Sequence, residues 1–236
     1  MKPNKKQAVL STLKQQILTL EIAPGSVLDE AVLSEKFELS RTPLREVFQR
    51  LAGEGYVTLE ENRGAKVSSM DLASMRNFFQ SAPMIYAAVA RLAAENASPG
   101  QIAELKDIQR SFRRTGEAGD ASGMSMFNHA FHRLTGDMAG NPYLTPSLNR
   151  LLIDHTRMSQ MFYRPGNPME QKLVWTACDQ HDQMIEAIEK REPATIVELT
   201  LEHWSLSRDR IEKFVRPDPL PMKLDLDLAK DESRAV

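Results

Sequence analysis

The stretch "LSRTPLREVFQRLAGEGYV", residues 39–57, reads as one short helix with two unlike faces. Ser40 or Thr42 is placed to cap the first free amides, and Pro43 suits a first helical turn. Leu44, Val47, Phe48 and Leu51 recur at spacings of three and four, which makes one face apolar. Gly53 and Gly55 then stop the helix. Off the apolar face stand Arg41, Arg45 and Arg50. The apolar face belongs to a core. What the arginines touch decides what the fold is for.

The flanks supply the context. Val9, Leu10, Leu13, Ile17 and Leu20 predict an amphipathic first helix, and "APGSVL" (23–28) a turn. Asp29 caps a second helix carrying Val32, Leu33 and Phe37. After Gly55, "YVTLE" and "AKVSS" are strand-like, joined by "ENRG" with a turn glycine at Gly64. Helix, helix, turn, helix and hairpin is the order of a winged helix-turn-helix, whose third helix enters a major groove. Arg41 and Arg45 are four apart and share a face, and arginine offers the forked donors that match guanine O6 and N7. The hydroxyls of Ser40 and Thr42 suit phosphate oxygens, and Arg63 and Gly64 stand at the hairpin tip. Charge does not settle the matter. Residues 1–67 hold ten Lys/Arg against nine Asp/Glu, 10 − 9 = +1, and the whole chain of 236 residues carries −2. Any nucleic-acid contact is therefore a local patch.

The remainder is helical pattern. Asp71 caps a long helix to about Ala97, with a kink expected at Pro83. Ser98-Pro99 opens a second, ending near Gly116, and a third runs from Asp120 to Met138. Asn141-Pro142 opens a fourth, to about Tyr163. After the loop "RPGNP" (164–168), a fifth reaches Arg191, and Pro193 opens a sixth to Val215. Residues 216–236 read as a loosely held tail. The expected organisation is a winged domain over 1–69, an all-α six-helix bundle over 70–215 and the tail, mainly α overall.

No apolar run approaches a membrane span, the N-terminus lacks a signal-peptide pattern, and Cys178 has no partner for a disulfide. A cytoplasmic setting is expected.

Five histidines fall in the second half. Asn128 and His132 are i and i+4 on one helix, and His181 and His203 lie on the last two helices. Three imidazoles and an amide oxygen can converge inside such a bundle, a usual place for a metal. His129 and His155 are not spaced to join that set and are read as packed or surface residues. The six methionines between 124 and 169 read as core filling.

The segment from "LEIAPGSVLDE" through "SRTPLRE", "RLAGEG" and "RGAKV" resembles the DNA-binding domain of the GntR family of bacterial transcription regulators. The resemblance implies that Ser40, Arg41, Thr42, Arg45 and Gly64 contact operator DNA, and that a homodimer reads a palindrome. Ala31 stands where many relatives carry arginine. "NHAFHRLTGDMAGNPYL", "CDQHDQMIEAIEKREP" and "LEHWSLSRDR" resemble the FCD ligand-binding domain of the FadR-like branch. Six helices rather than seven point to its vanillate-regulator type. That resemblance implies a divalent metal (zinc, nickel, manganese or iron alike) on Asn128, His132, His181 and His203, with a small carboxylate effector on the open positions. Three departures stand out. Asn128 replaces the usual aspartate, Ala82 stands where relatives often carry an arginine, and Tyr86 where they often carry glutamate.

A ligand-controlled repressor, not an enzyme, is the expected function. The rival is a metal-dependent hydrolase with an accessory winged domain, because three histidines and an open position can activate water. The chain has no HExxH, nucleophile elbow or phosphate-binding glycine loop to support it.

Overall fold

The computed structural model describes residues 5–60 and 64–215, the last nine as backbone only. The N-terminal unit contains α1 (Lys5–Leu18), β1 (Val27–Leu28), α2 (Glu30–Lys36), α3 (Arg41–Gly53), β2 (Val57–Glu60) and β3 (Gly64–Val67). The spacing read from residues 39–57 holds: Leu44, Val47, Phe48 and Leu51 are buried against Val9, Leu10, Leu13 and Ile17 of α1. Each such side chain contributes about 1.5–3 kcal/mol by leaving water. Asp29 caps α2, its Oδ1 accepting from the amides of Ala31 and Val32 at 2.8 and 2.9 Å.

Three local expectations are corrected. Helix α1 stops at Leu18, and Leu20 lies beyond it with φ +62°. Ser40 occupies the N-cap position of α3 but makes no capping hydrogen bond, which leaves its hydroxyl available to other partners. The expected turn at 23–28 ends in β1, which pairs antiparallel with β3 (Val27 opposite Lys66, Leu28 opposite Ala65) to give the order β1-β3-β2. Two residues are too short to show a period, so only the partner strand reveals them.

The C-terminal unit is six helices among the described residues: α4 (Leu72–Asn96), α5 (Pro99–Glu117), α6 (Ala121–Ala139), α7 (Leu144–Phe162), α8 (Pro168–Glu189) and α9 (Pro193–Val215). Asp71 caps α4 by accepting from the Ser74 amide at 2.8 Å, and α4 runs unbroken through Pro83. Ser98 and Gln101 form a reciprocal capping box on α5. The fourth bundle helix starts at Leu144 rather than at Asn141-Pro142, with the Asn141 side chain accepting from the amides of Tyr143 and Leu144. Met124, Met138 and Met158 fill core positions, whereas Met169 is exposed. The tail at 216–236 lies outside the described residues.

The second half of α7 is buried between the two units. Every residue from Leu152 to Gln160 is buried, although Asp154, His155, Thr156, Arg157, Ser159 and Gln160 are polar. Ile153 belongs to the core of the N-terminal unit. Arg157, with no exposed surface, donates to the Ser68 carbonyl at 2.8 Å and pairs with Asp154. Gln160 donates to the Leu18 carbonyl at 3.4 Å. Ser68 in turn donates to the Gly55 carbonyl at 2.6 Å, tying the linker to the end of α3.

Candidate DNA-reading face and metal centre

Arg41, Arg45 and Gln49, on successive turns of α3, face a cleft with Glu30, Leu59, Glu60 and Gly64. It has a volume of about 430 Å³ and is bounded by α2, α3 and the β2–β3 hairpin. Ser40, Arg41, Thr42 and Arg45 are all exposed. The Arg45 side chain, 67% exposed, is held by Glu30, with Nε and Nη2 donating to the carboxylate at 2.5 and 3.1 Å. That side-on pair leaves the end-on fork of the guanidinium open, the edge that suits guanine O6 and N7. Gln49 is missed by a reading that stops at arginines; its place four residues after Arg45 is the signal. Gly64 has φ +85°, and a Cβ there would lie 2.5 Å from the Leu28 carbonyl oxygen. Glycine at 64 is therefore required by the β1–β3 approach itself. Arg63 lies outside the described residues.

In the bundle, the structure brings together the three histidines that the resemblance to the FCD domain singled out. Nitrogen atoms of His132 (α6), His181 (α8) and His203 (α9) lie within 4.8 Å of one another, and all three residues are buried. Their neighbours fix which nitrogen carries the proton. Gln109 donates its amide N–H to the Cys178 carbonyl at 2.8 Å, so its Oε1 faces His181 Nδ1 at 3.2 Å and must accept from it. His203 Nδ1 likewise donates to Gln180 Oε1 at 3.0 Å. Both rings keep a lone pair on Nε2, the arrangement in which outer hydrogen bonds orient metal-ligating histidines. Burial, helped by neighbouring imidazoles, holds His132 and His181 well below the usual histidine range, and burial alone holds His203 down to about 4. The neutral form is the one that binds metal.

The same set contains atoms that nothing in the protein satisfies. His132 Nε2, His181 Nε2 and both amide atoms of Asn128 are buried without a hydrogen-bond partner. A buried polar atom left so costs about 1–3 kcal/mol, and a cation accepting the lone pairs of His132 Nε2, His181 Nε2 and Asn128 Oδ1 would remove that cost for those three atoms. The donor set of imidazoles with one amide oxygen therefore fits a divalent transition metal.

One residue set aside by spacing belongs beside this cluster. His155 on α7 has its ring 5.4 Å from that of His132 and 5.4 Å from that of Tyr86, and Tyr86 Oη lies 2.7 Å from His155 Nδ1. Sequence alone sets it aside because nothing within α7 ties that helix to the cluster; only its packing against α4 and α6 does. Tyr86, one of the noted departures, fills the space with Trp204, their rings 5.8 Å apart. Ala82 is fully buried one turn earlier. His129 stays outside the set, its Nδ1 2.8 Å from Thr156 Oγ1.

Comparison with known proteins agrees with both halves. The profile described as "Bacterial regulatory proteins, gntR family" matches residues 5–67, and that of the "FCD domain" matches residues 83–206. The HTH-type transcriptional repressor RspR of Escherichia coli (strain K12) is 27% identical over 197 residues, 84% of each chain. The galactonate operon transcriptional repressor of the same strain is 26% identical over 214 residues, 76% of this chain and 89% of that one. The solved structure of E. coli McbR/YncC superposes with a TM-score of 0.76 at 18% identity, covering 90% of this chain and 99% of that one, a likeness of fold.

Proposed function

Because the chain belongs to the gntR family of bacterial regulatory proteins and carries an FCD domain, we propose that it is a cytoplasmic, ligand-controlled repressor that binds a palindromic operator as a homodimer. It is a transcriptional regulator and not an enzyme, as its relatives are. Residues 1–69 read DNA, with Arg41 and Arg45 on base edges and Ser40 and Thr42 on phosphates. Arg63 and Gly64 are assigned to the minor groove or the phosphate backbone beside it. Residues 70–215 hold the regulatory ligand. Two-fold protein symmetry requires two-fold half-sites.

The observation that carries the regulatory half is the convergence of three buried, neutral imidazoles within 4.8 Å of one another; Asn128, one turn before His132 on the same helix, is buried with both amide atoms unpartnered. His132, His181 and His203 would hold a divalent ion through nitrogen, and Asn128 through its amide oxygen. When bound, the ion supplies a positive charge that attracts a small carboxylate. Four neutral donors leave its two charges uncancelled, which favours an anionic effector. Ligand state reaches the DNA-reading unit through α7, which places His155 beside the cluster, Ile153 in the N-terminal core and Arg157 on the linker carbonyl. The effector regulates only if it binds two arrangements of that helix with unequal affinity.

Elemental analysis of purified protein, beside a His132→Ala control, tests the metal. Near-stoichiometric metal that vanishes in the control is the expected result. No uptake even after supplementation would overturn this reading. Selection from random duplex DNA tests the DNA half: an enriched palindrome whose binding falls steeply with salt is expected. Salt-independent binding, or no enrichment, refutes it.

A further inference from the structure

We propose a second ligand site in the cleft between the two units, which takes a small polyanion carrying two or more phosphate or carboxylate groups and ties the units together. None of the three clustered histidines lines it, and it needs no metal. The cleft has a volume of about 780 Å³. Small-molecule sites usually measure roughly 300–1,000 Å³, and domain boundaries are a preferred place for them. Lys14 of α1 lines it from the N-terminal unit, with Glu54 and Tyr56 just after α3. Arg133 of α6 lines it from the bundle, with Asn149 and Arg150 of α7. A ligand there touches both units at once.

The charged lining is unbalanced. Three cations, Lys14, Arg133 and Arg150, face one carboxylate, Glu54, which pairs with Lys14. Arg133 is exposed and has no ion pair among the described residues. Its charge reaches across the boundary: burial pushes the Tyr56 phenol up to about 12, Glu54 adds to that, and Arg133 opposes both. Arg150 has Asp154 at 3.2 Å, but Asp154 is shared with the fully buried Arg157. One carboxylate between two guanidiniums leaves positive charge on Arg150 toward the cleft. Its side chain lies against Gly55, where φ is +88° and any Cβ would collide with it. The surplus is thus concave and local in a chain of net charge −2, the arrangement that concentrates an anion. The two arginines offer forked donors that match phosphate or carboxylate oxygens, and Lys14 adds a point charge. The phosphates of DNA are the rival occupant. Helix α3 keeps the two faces apart: Arg41 at its start faces the reading cleft, and Gly53 at its end lines this one. Its 13 residues put those ends about 20 Å apart.

Titration calorimetry of the full-length chain at low ionic strength, with pyrophosphate and separately with succinate, tests the site. At least one probe is expected to bind once per chain. Arg133→Gln and Arg150→Gln are each expected to weaken it about tenfold, the loss of one hydrogen bond to a charged group. Lys14→Gln is expected to weaken it further, because Glu54 is then unpaired in the cleft. Arg133→Gln carries the test if Arg150→Gln, which disturbs Asp154, fails to fold. Arg91→Gln, which removes an exposed arginine of α4 paired with Glu95, is expected to change nothing. Binding of neither probe overturns the proposal. An equal loss in Arg91→Gln also overturns it, by reducing the binding to net charge. Unchanged binding in Lys14→Gln overturns the bridge between units. Loss of binding in His132→Ala overturns the site by moving the ligand to the histidine cluster. Weaker binding of Arg133→Gln to random-sequence duplex DNA, measured without either probe, overturns it by making the cleft a DNA-backbone contact.

Discussion

Arg157→Met tests whether α7 joins the two units through a buried charge. The guanidinium has no exposed surface, pairs with Asp154 and donates to the Ser68 carbonyl at 2.8 Å. Removing one partner of a buried pair costs about 3–5 kcal/mol, mostly because the other charge is left uncompensated. Here Asp154 keeps a second partner, Arg150, at 3.2 Å, and its own side chain is 11% exposed. That places the charge penalty at the low end, about 3 kcal/mol. The orphaned Ser68 carbonyl adds about 1 kcal/mol or more. A loss of about 4 kcal/mol is therefore expected, read from urea unfolding as a lowered midpoint at unchanged slope. Asp154→Leu alone is also expected to destabilise, because Arg157 then has no anion. The double variant is expected to recover much of the loss, since an apolar pair of similar volume removes both desolvation costs. A cost below about 1 kcal/mol for Arg157→Met, or strictly additive losses in the double variant, would refute the argument.

Three further outcomes are expected. Arg45→Ala should cost roughly 1–3 kcal/mol of operator binding and relax preference at one base pair, while leaving unfolding almost unchanged, because its pair with Glu30 is exposed and worth little; equal losses on specific and random DNA would make it a phosphate contact. Gly64→Ala should lower stability by about 2 kcal/mol or more, because φ +85° is strained for alanine and its Cβ meets the Leu28 carbonyl; an unchanged melting temperature would refute the packing of β3 on β1. Asn128→Asp should tighten metal and weaken acetate, both read by titration calorimetry, because a carboxylate is the better donor but cancels part of the ion's charge. If both tighten, the charge argument fails.

The parts of this protein that were legible in its sequence are those where one element carries its own pattern. Helix α3 shows its core face in four residues, Leu44, Val47, Phe48 and Leu51, whatever it packs against. His132, His181 and His203 were legible for a different reason: the family pattern fixes them although they come from three helices. What failed was information held by two elements at once. Strand β1 exists because Lys66 and Ala65 of β3 offer it a ladder, not because Val27 and Leu28 favour one. His155 joins the histidine cluster only through packing, with its neighbours Tyr86 and His132 coming from α4 and α6. The buried polar run on α7 is the extreme case. "DHTR" at 154–157 has the composition of a solvated turn, yet all four residues are inside. Each has a partner: Asp154 two arginines, His155 Tyr86, Thr156 the Leu152 carbonyl and Arg157 the linker, with only Arg157 Nε among these left unpaired. Polar residues at this density are tolerated in an interior only when partnered. The partners are spread over α4, α7 and the linker, so a shift of α7 toward or away from the histidine cluster must disturb the contact with Ser68 as well. The residues that sequence pattern reads worst are thus the ones that tie the histidine cluster to the N-terminal unit.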